Sequence, residues 1–170
     1  MKKGINQMII LIHKPYKILP VSLLLFISSL HAQLPNDISY EEALKITLAA
    51  QKVAIDTNST VNIAVVDAGA NLKAFIRMDQ SFLGSIDVAI KKAKTARYFN
   101  MPTGELGKLT QPGGAIYNIE LSNGGLVTFP GGIPIKNKNG TIIGAIGVSG
   151  GTIEQDHYIA TQAVKTILDE

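Results

Sequence analysis

Apolar residues recur along this chain with two different periods. Over Ser39 to Asn58 they follow the helical one: Leu44, Leu48, Gln51 and Ile55, with Ala43, Thr47, Ala50 and Ala54 beside them, form a wide stripe of small and branched side chains. Ser39-Tyr40-Glu41-Glu42 opens that stripe as a capping box, in which the serine hydroxyl takes the Glu42 amide and the Glu42 carboxylate reaches back. Val61 to Val66 is instead a β-branched run. The turn formers Asp67-Ala68-Gly69-Ala70-Asn71 follow it, and Leu72 to Met78 resumes the apolar pattern, so the pair reads as a β-hairpin. A second helix is expected from Ser85, which can cap it, to Asn100. It buries Ile86, Ala89, Ile90, Ala93 and Ala96 while Lys91, Lys92, Lys94 and Arg97 lie largely on other faces. Alanine on the buried side predicts a close approach to its neighbour.

The middle of the chain is less regular. Pro102 ends the second helix, Thr103 to Leu109 and Ile116 to Leu121 read as short helices, and Gly113-Gly114 and Asn123-Gly124-Gly125 break the chain between and after them. Leu126 to Phe129 and Ile133-Pro134-Ile135 read as extended, the latter at a sheet edge because Pro134 cannot donate to a ladder. Asn137-Lys138-Asn139-Gly140 is a hairpin turn into a strand from Thr141 to Val148, and a last helix spans Glu154 to Leu168, with Ile159, Ala163, Val164, Ile167 and Leu168 for its buried face. Every strand-to-strand link is short, which predicts one α/β (α+β) domain with an antiparallel sheet of about five strands, in two or three layers.

Charge changes the picture only once the first 32 residues are set apart. Lys2, Lys3, Lys14 and Lys17 precede or flank the apolar stretch Ile18 to Leu30, which ends in Ser28-Ser29-Leu30-His31-Ala32, the pattern of a signal peptide cleaved after Ala32. As a helix that stretch would rise only about 20 Å, short of a ~30 Å hydrocarbon core, so an uncleaved anchor is the weaker reading. The whole chain carries a net charge of +3, but residues 33–170 hold 12 basic against 13 acidic side chains. That near-neutral balance removes the electrostatic drive for nucleic-acid binding. No cysteine occurs anywhere, which excludes disulfides, thiolate metal sites and a cysteine nucleophile. An exported domain without disulfides is expected to hold itself by packing or by assembling with its own copies.

Four segments carry a family resemblance: Ala64-Val65-Val66-Asp67-Ala68-Gly69, Lys92-Ala93-Lys94-Thr95-Ala96, Pro130-Gly131-Gly132-Ile133-Pro134-Ile135 and Gly144-Ala145-Ile146-Gly147-Val148-Ser149-Gly150. In this order the sequence resembles the GlcG/HbpS-type family, which includes C-terminal domains of PduO corrinoid adenosyltransferases, from about Ser39 to Leu168. The resemblance implies a profilin-like antiparallel sheet with packed helices, homo-oligomers, and, in several members, heme; other members accompany glycolate or propanediol metabolism.

Against that background a few residues are candidates for a site. His157 is the one histidine after the leader, and an imidazole is the commonest axial ligand of heme; the other reading is a solvent-facing side chain near a helix start. Thr95, within the family's Lys-Ala-x-Thr-Ala stretch, is a second candidate iron ligand, although a helix threonine usually bonds the carbonyl a turn earlier. Lys92 and Arg97 are candidate anchors for heme propionates or a small carboxylate, with a solvated face as the plainer reading. Phe99 and Ile133 are candidate apolar walls, and Gly131 and Gly132 allow close backbone approach to a packing helix or to a flat ligand. Asp67 reads first as a turn acceptor. Catalysis finds no triad, the carboxylate pairs Glu41-Glu42 and Asp169-Glu170 sit at helix ends where a dipole or terminus explains them, and only Asp67, Lys92 and His157 stand as acid-base candidates. The expected role is a periplasmic or secreted heme-binding protein, without catalytic residues, homo-oligomeric and free of the membrane after cleavage. The alternative is a binder of a small carboxylate metabolite or a corrinoid.

Overall fold

The computed structural model describes residues 36–168. The leader and its cleavage point lie outside the described residues. In chain order the elements are α1 (Tyr40–Asp56), β1 (Asn62–Asp67), β2 (Leu72–Arg77), α2 (Ser85–Phe99), α3 (Thr103–Leu109), β3 (Gly132–Lys136), β4 (Ile142–Ser149) and α4 (Ile153–Leu168), with a 3-10 turn at Ile119–Leu121. The strands form one antiparallel sheet in the order β2-β1-β4-β3.

The described sheet therefore has four strands, not five. Leu126 to Phe129 stays outside the ladder because its backbone bonds elsewhere: the Leu126 amide donates to the Glu120 carbonyl and the Val127 amide to the Thr95 hydroxyl. Ile116 to Leu121 shrinks to the 3-10 turn. Pro134 sits on the edge strand β3, where its missing N–H leaves the outer side of the sheet.

Alternation along the strands divides the core into two layers of contact. Ile63 and Val65 of β1, Ile146 and Val148 of β4, and Ile133 and Ile135 of β3 meet Ala43, Ile46, Ala50 and Ala54 of α1 and Ile159, Ala160 and Ala163 of α4. On the opposite face Ala64, Val66 and Ala145 meet Ala89, Ala93 and Ala96 of α2. The α2 backbone lies almost directly on the sheet: a Cβ added at Gly147 would sit 2.1 Å from the Ala89 carbonyl oxygen and 2.5 Å from the Ala93 nitrogen. Only small residues permit that approach.

Local signals account for most element ends. The Ser39–Glu42 capping box is complete, with both reciprocal bonds formed. A second such box opens α4, where Thr152 and Gln155 exchange side-chain-to-amide bonds. Ser85 does not cap α2; the N-cap is Gly84, already in helical conformation, with no side-chain bond. The α1 stripe is also rotated from the expected one. Leu48 and Ile55 point outward and the small residues Ala43, Thr47, Ala50 and Ala54 face inward with Ile46, because only they fit between α1, α4 and the sheet. In α4 the expected Ile159 and Ala163 are buried and Val164 partly so; the side chains of Ile167 and Leu168 lie outside the described residues.

Candidate functional site

The sequence places Lys92 among exposed cations, and the structure corrects this. Its side chain is 0% exposed, and Nζ donates to Asp156 Oδ2 and to the Val148 carbonyl, both at 2.8 Å, with the Phe129 ring centroid 4.6 Å away. Burial pushes the Lys92 ammonium below the ordinary lysine value, against the pull of Asp156. The same desolvation pushes the Asp156 carboxyl up, against the attraction of Lys92 and the amide bonds it accepts. An ammonium so enclosed does not reach a propionate at the surface.

Gly131 and Gly132 belong to the same knot. Gly131 has φ +123, and a Cβ there would lie 2.6 Å from the Val148 carbonyl oxygen and 2.7 Å from Lys92 Nζ; one on Gly132 would meet the Lys92 carbonyl at 2.5 Å. The Gly132 amide donates to Thr103 Oγ1, whose hydroxyl donates to the Phe129 carbonyl. Close approach is thus to α2, α3 and the end of β4, not to a flat ligand. Ile133 is a core residue facing α1 and α4, so it offers no outer wall.

The remaining candidates scatter. Thr95 is buried and accepts from the Val127 amide, which anchors the irregular segment to α2. Arg97 is half-buried and donates through Nη1 to Asn100 Oδ1, while its Nε is buried without a partner; Phe99 is half-buried at the last turn of α2. Asp67 serves its turn, accepting from the amides of Gly69 and Asn71. Thr95 and His157, paired as possible metal ligands, are not brought together around an opening.

What opens to solvent is a cleft of about 490 Å³ between α3, Pro130 and the first two turns of α4. His157 lies on it, exposed, with Tyr158, Ile153 and Thr161 on the same helix and Pro102, Gly104, Glu105 and Lys108 opposite. Thr161 Oγ1 is buried there without a hydrogen-bond partner. Lys108 pairs with Glu105 at 2.7 Å, both side chains well exposed, so water holds most of that interaction and either partner can turn to a ligand. A smaller hollow of about 290 Å³ continues past Lys108 and Pro130 to Gln111, Thr128 and Phe129.

These residues suit a flat amphiphilic group such as heme. Pro102, Pro130 and Ile153 supply apolar surface, His157 an imidazole and Lys108 a cation. Among the described residues no cluster of three or more His, Asp or Glu side chains is placed to hold a bare metal ion. Of the cleft residues the sequence offers His157 and, as an oxygen ligand, Tyr158. The Thr152-x-x-Gln155 box was the signal that would have placed the start of α4 and hence its neighbours.

A layered α/β domain with small-molecule-sized space at the end of an antiparallel sheet is the class this geometry defines. The chain belongs to the HbpS-like family, described as haem degrading protein HbpS-like, which matches residues 38–165. It is 40% identical over 128 residues to an uncharacterized 15.0 kDa protein from the dhaT-dhaS intergenic region of Citrobacter freundii, covering 75% of this chain and 89% of that one. It is 37% identical over 131 residues to the corrinoid adenosyltransferase PduO of the same organism, covering 76% of this chain but 39% of that enzyme. The solved structure of a PduOC:heme complex matches with a TM-score of 0.73 at 36% identity, over 77% of this chain and 95% of that one.

Proposed function

We propose that this chain is an exported, homo-oligomeric heme-binding protein without catalytic activity, and that heme lies in the cleft between α3 and α4. The observation that carries the reading is His157, an exposed imidazole on a wall of that cleft. The likeness to the PduOC:heme complex supports it. Bound heme supplies an iron open to ligand exchange and electron transfer. The chain's own residues supply the imidazole ligand, apolar contact from Pro102, Pro130 and Ile153, and the Lys108 ammonium for a propionate.

Hemin titration followed by absorbance tests this. Wild type should give a sharp Soret band that saturates at a fixed heme-to-chain ratio. His157→Ala should move the band and weaken binding at least tenfold, about 1.4 kcal/mol, through loss of an iron ligand. A broad, nonsaturating change in wild type would overturn the reading. The similarity to a corrinoid adenosyltransferase favours a second ligand for the same cleft, a corrinoid, and titration with cobalamin in place of hemin separates the two.

A further inference from the structure

Neither Lys92 nor Asp156 lines the cleft, yet their contacts reach both of its walls. Asp156 stands in the first turn of α4, next to His157. Its Oδ2 is held by Lys92 and its Oδ1 accepts the Gly151 amide at 2.9 Å, which ties that turn to the end of β4. On the other side the Lys92 ammonium lies under the Phe129 ring, adjacent to Pro130. The Phe129 carbonyl is held by Thr103, between Pro102 and Gly104 on the opposite wall. The Val148 amide donates to the Gly131 carbonyl and so joins the Pro130 bend to β4.

We infer that the buried Lys92–Asp156 pair is a positioning device: it sets the spacing between the α4 wall carrying His157 and the Pro102–Pro130 wall, and so tunes ligand binding without touching the ligand. A buried ion pair is seldom retained for stability, since apolar residues of like volume usually serve as well or better. What two facing charges and their fixed donors add is direction. Here three hydrogen bonds, from Lys92 to Asp156, from Lys92 to the Val148 carbonyl and from the Gly151 amide to Asp156, converge from α2, α4, β4 and the loop after it, and the Phe129 ring closes over Nζ.

The inference rests on the cleft being the ligand site, but its first test does not need a ligand. Because the chain has no cysteine, Glu105→Cys and Glu154→Cys on the two walls accept nitroxide labels cleanly. Pulsed electron-electron distance measurement on the otherwise unaltered chain should give one narrow distribution. Adding Lys92→Met together with Asp156→Asn should broaden or displace it while far-UV circular dichroism stays native. Adding Ser39→Ala, which removes the α1 cap bond away from the cleft, should leave it narrow. Phe129→Leu removes only the half-exposed ring over Nζ, leaves the ion pair and the backbone bonds in place and should broaden it, so the question is decided even if the double variant does not fold. Without labels, the Lys92/Asp156 double variant should bind hemin at least tenfold more weakly. An unchanged distance distribution in the folded double variant, or in Phe129→Leu where the double variant does not fold, would overturn the inference. A wild type that fails to bind hemin would overturn the proposed function and leave the distance result to decide this one.

Discussion

Lys92 shows how much hangs on one side chain. It lies three residues after Ala89, one before Ala93 and four before Ala96, within the very stripe that α2 buries, so its helical position already placed it in the core. Residue type argued the other way, since lysine is almost never fully buried unless paired. The partner, Asp156, is 64 residues further on, and only the packing of α4 beside β4 brings it within 2.8 Å. Removing one member should therefore cost far more than removing both charges. Lys92→Met leaves a carboxylate buried without its cation and should lower stability by about 3–5 kcal/mol. The double variant with Asp156→Asn should lose much less. Urea unfolding of the two proteins checks it, and equal losses would mean that the pairing is not the source of the cost.

At the scale of elements, the segment between α3 and β3 is held by polar clips in place of a ladder. Thr128 Oγ1 donates to Glu120 Oε1 at 2.8 Å, Thr110 lies against both, and the Leu126 amide donates to the Glu120 carbonyl. The hydrogen bond from Thr110 is the main cause that holds the Glu120 carboxyl below its ordinary value of 4.5, with Thr128 adding to it against partial burial. Between that lowered value and 4.5 the unfolded chain binds the proton more readily, so stability from this clip rises with pH across the window. It is fully present above 4.5 and lost as acid carries the pH down through the lowered value. Amide hydrogen exchange at Leu126 and Val127, corrected for intrinsic rates, should show protection falling on acidification from pH 5 to 3 in wild type. Glu120→Gln should show low protection with no such pH dependence. Loss of protection that is identical in both would assign the effect to another group.

The whole molecule leaves a good deal of apolar surface in water. Phe82 is 71%, Leu83 74% and Leu121 83% exposed, and the rotated α1 stripe adds Leu48 and Ile55. Singly such residues are ordinary, but this many on a domain without disulfides support the proposed assembly of copies. The proposed export has a matching consequence. Protein recovered from the periplasm or medium should begin at Gln33 by mass spectrometry, and light scattering should give a particle heavier than one chain. An intact Met1 in the membrane fraction would overturn cleavage and release into the periplasm, and a concentration-independent monomer would overturn assembly. Among the described residues no helix is long and apolar enough to cross a membrane.

Periodicity and punctuation alone determined the order of the main elements, the Ser39–Glu42 box, the Asp67 and Asn137 turns, the edge position of Pro134 and the close seating of the alanine face of α2. Each of these depends on residues near one another in sequence, or on a single face whose partner need only be apolar and flat. The strand count failed at Leu126 to Phe129 because β propensity says nothing of whether a ladder partner is free, and there Thr95 and Glu120 had already taken the amides. The site was legible only in part. Helix two, the Gly131-Gly132 bend and the loop after Val148 meet in a closed knot around Lys92, and the cleft opens beside it, at His157. Which side of a junction stays open is set by the volumes of side chains from distant segments packed against one another, and no local pattern encodes that sum.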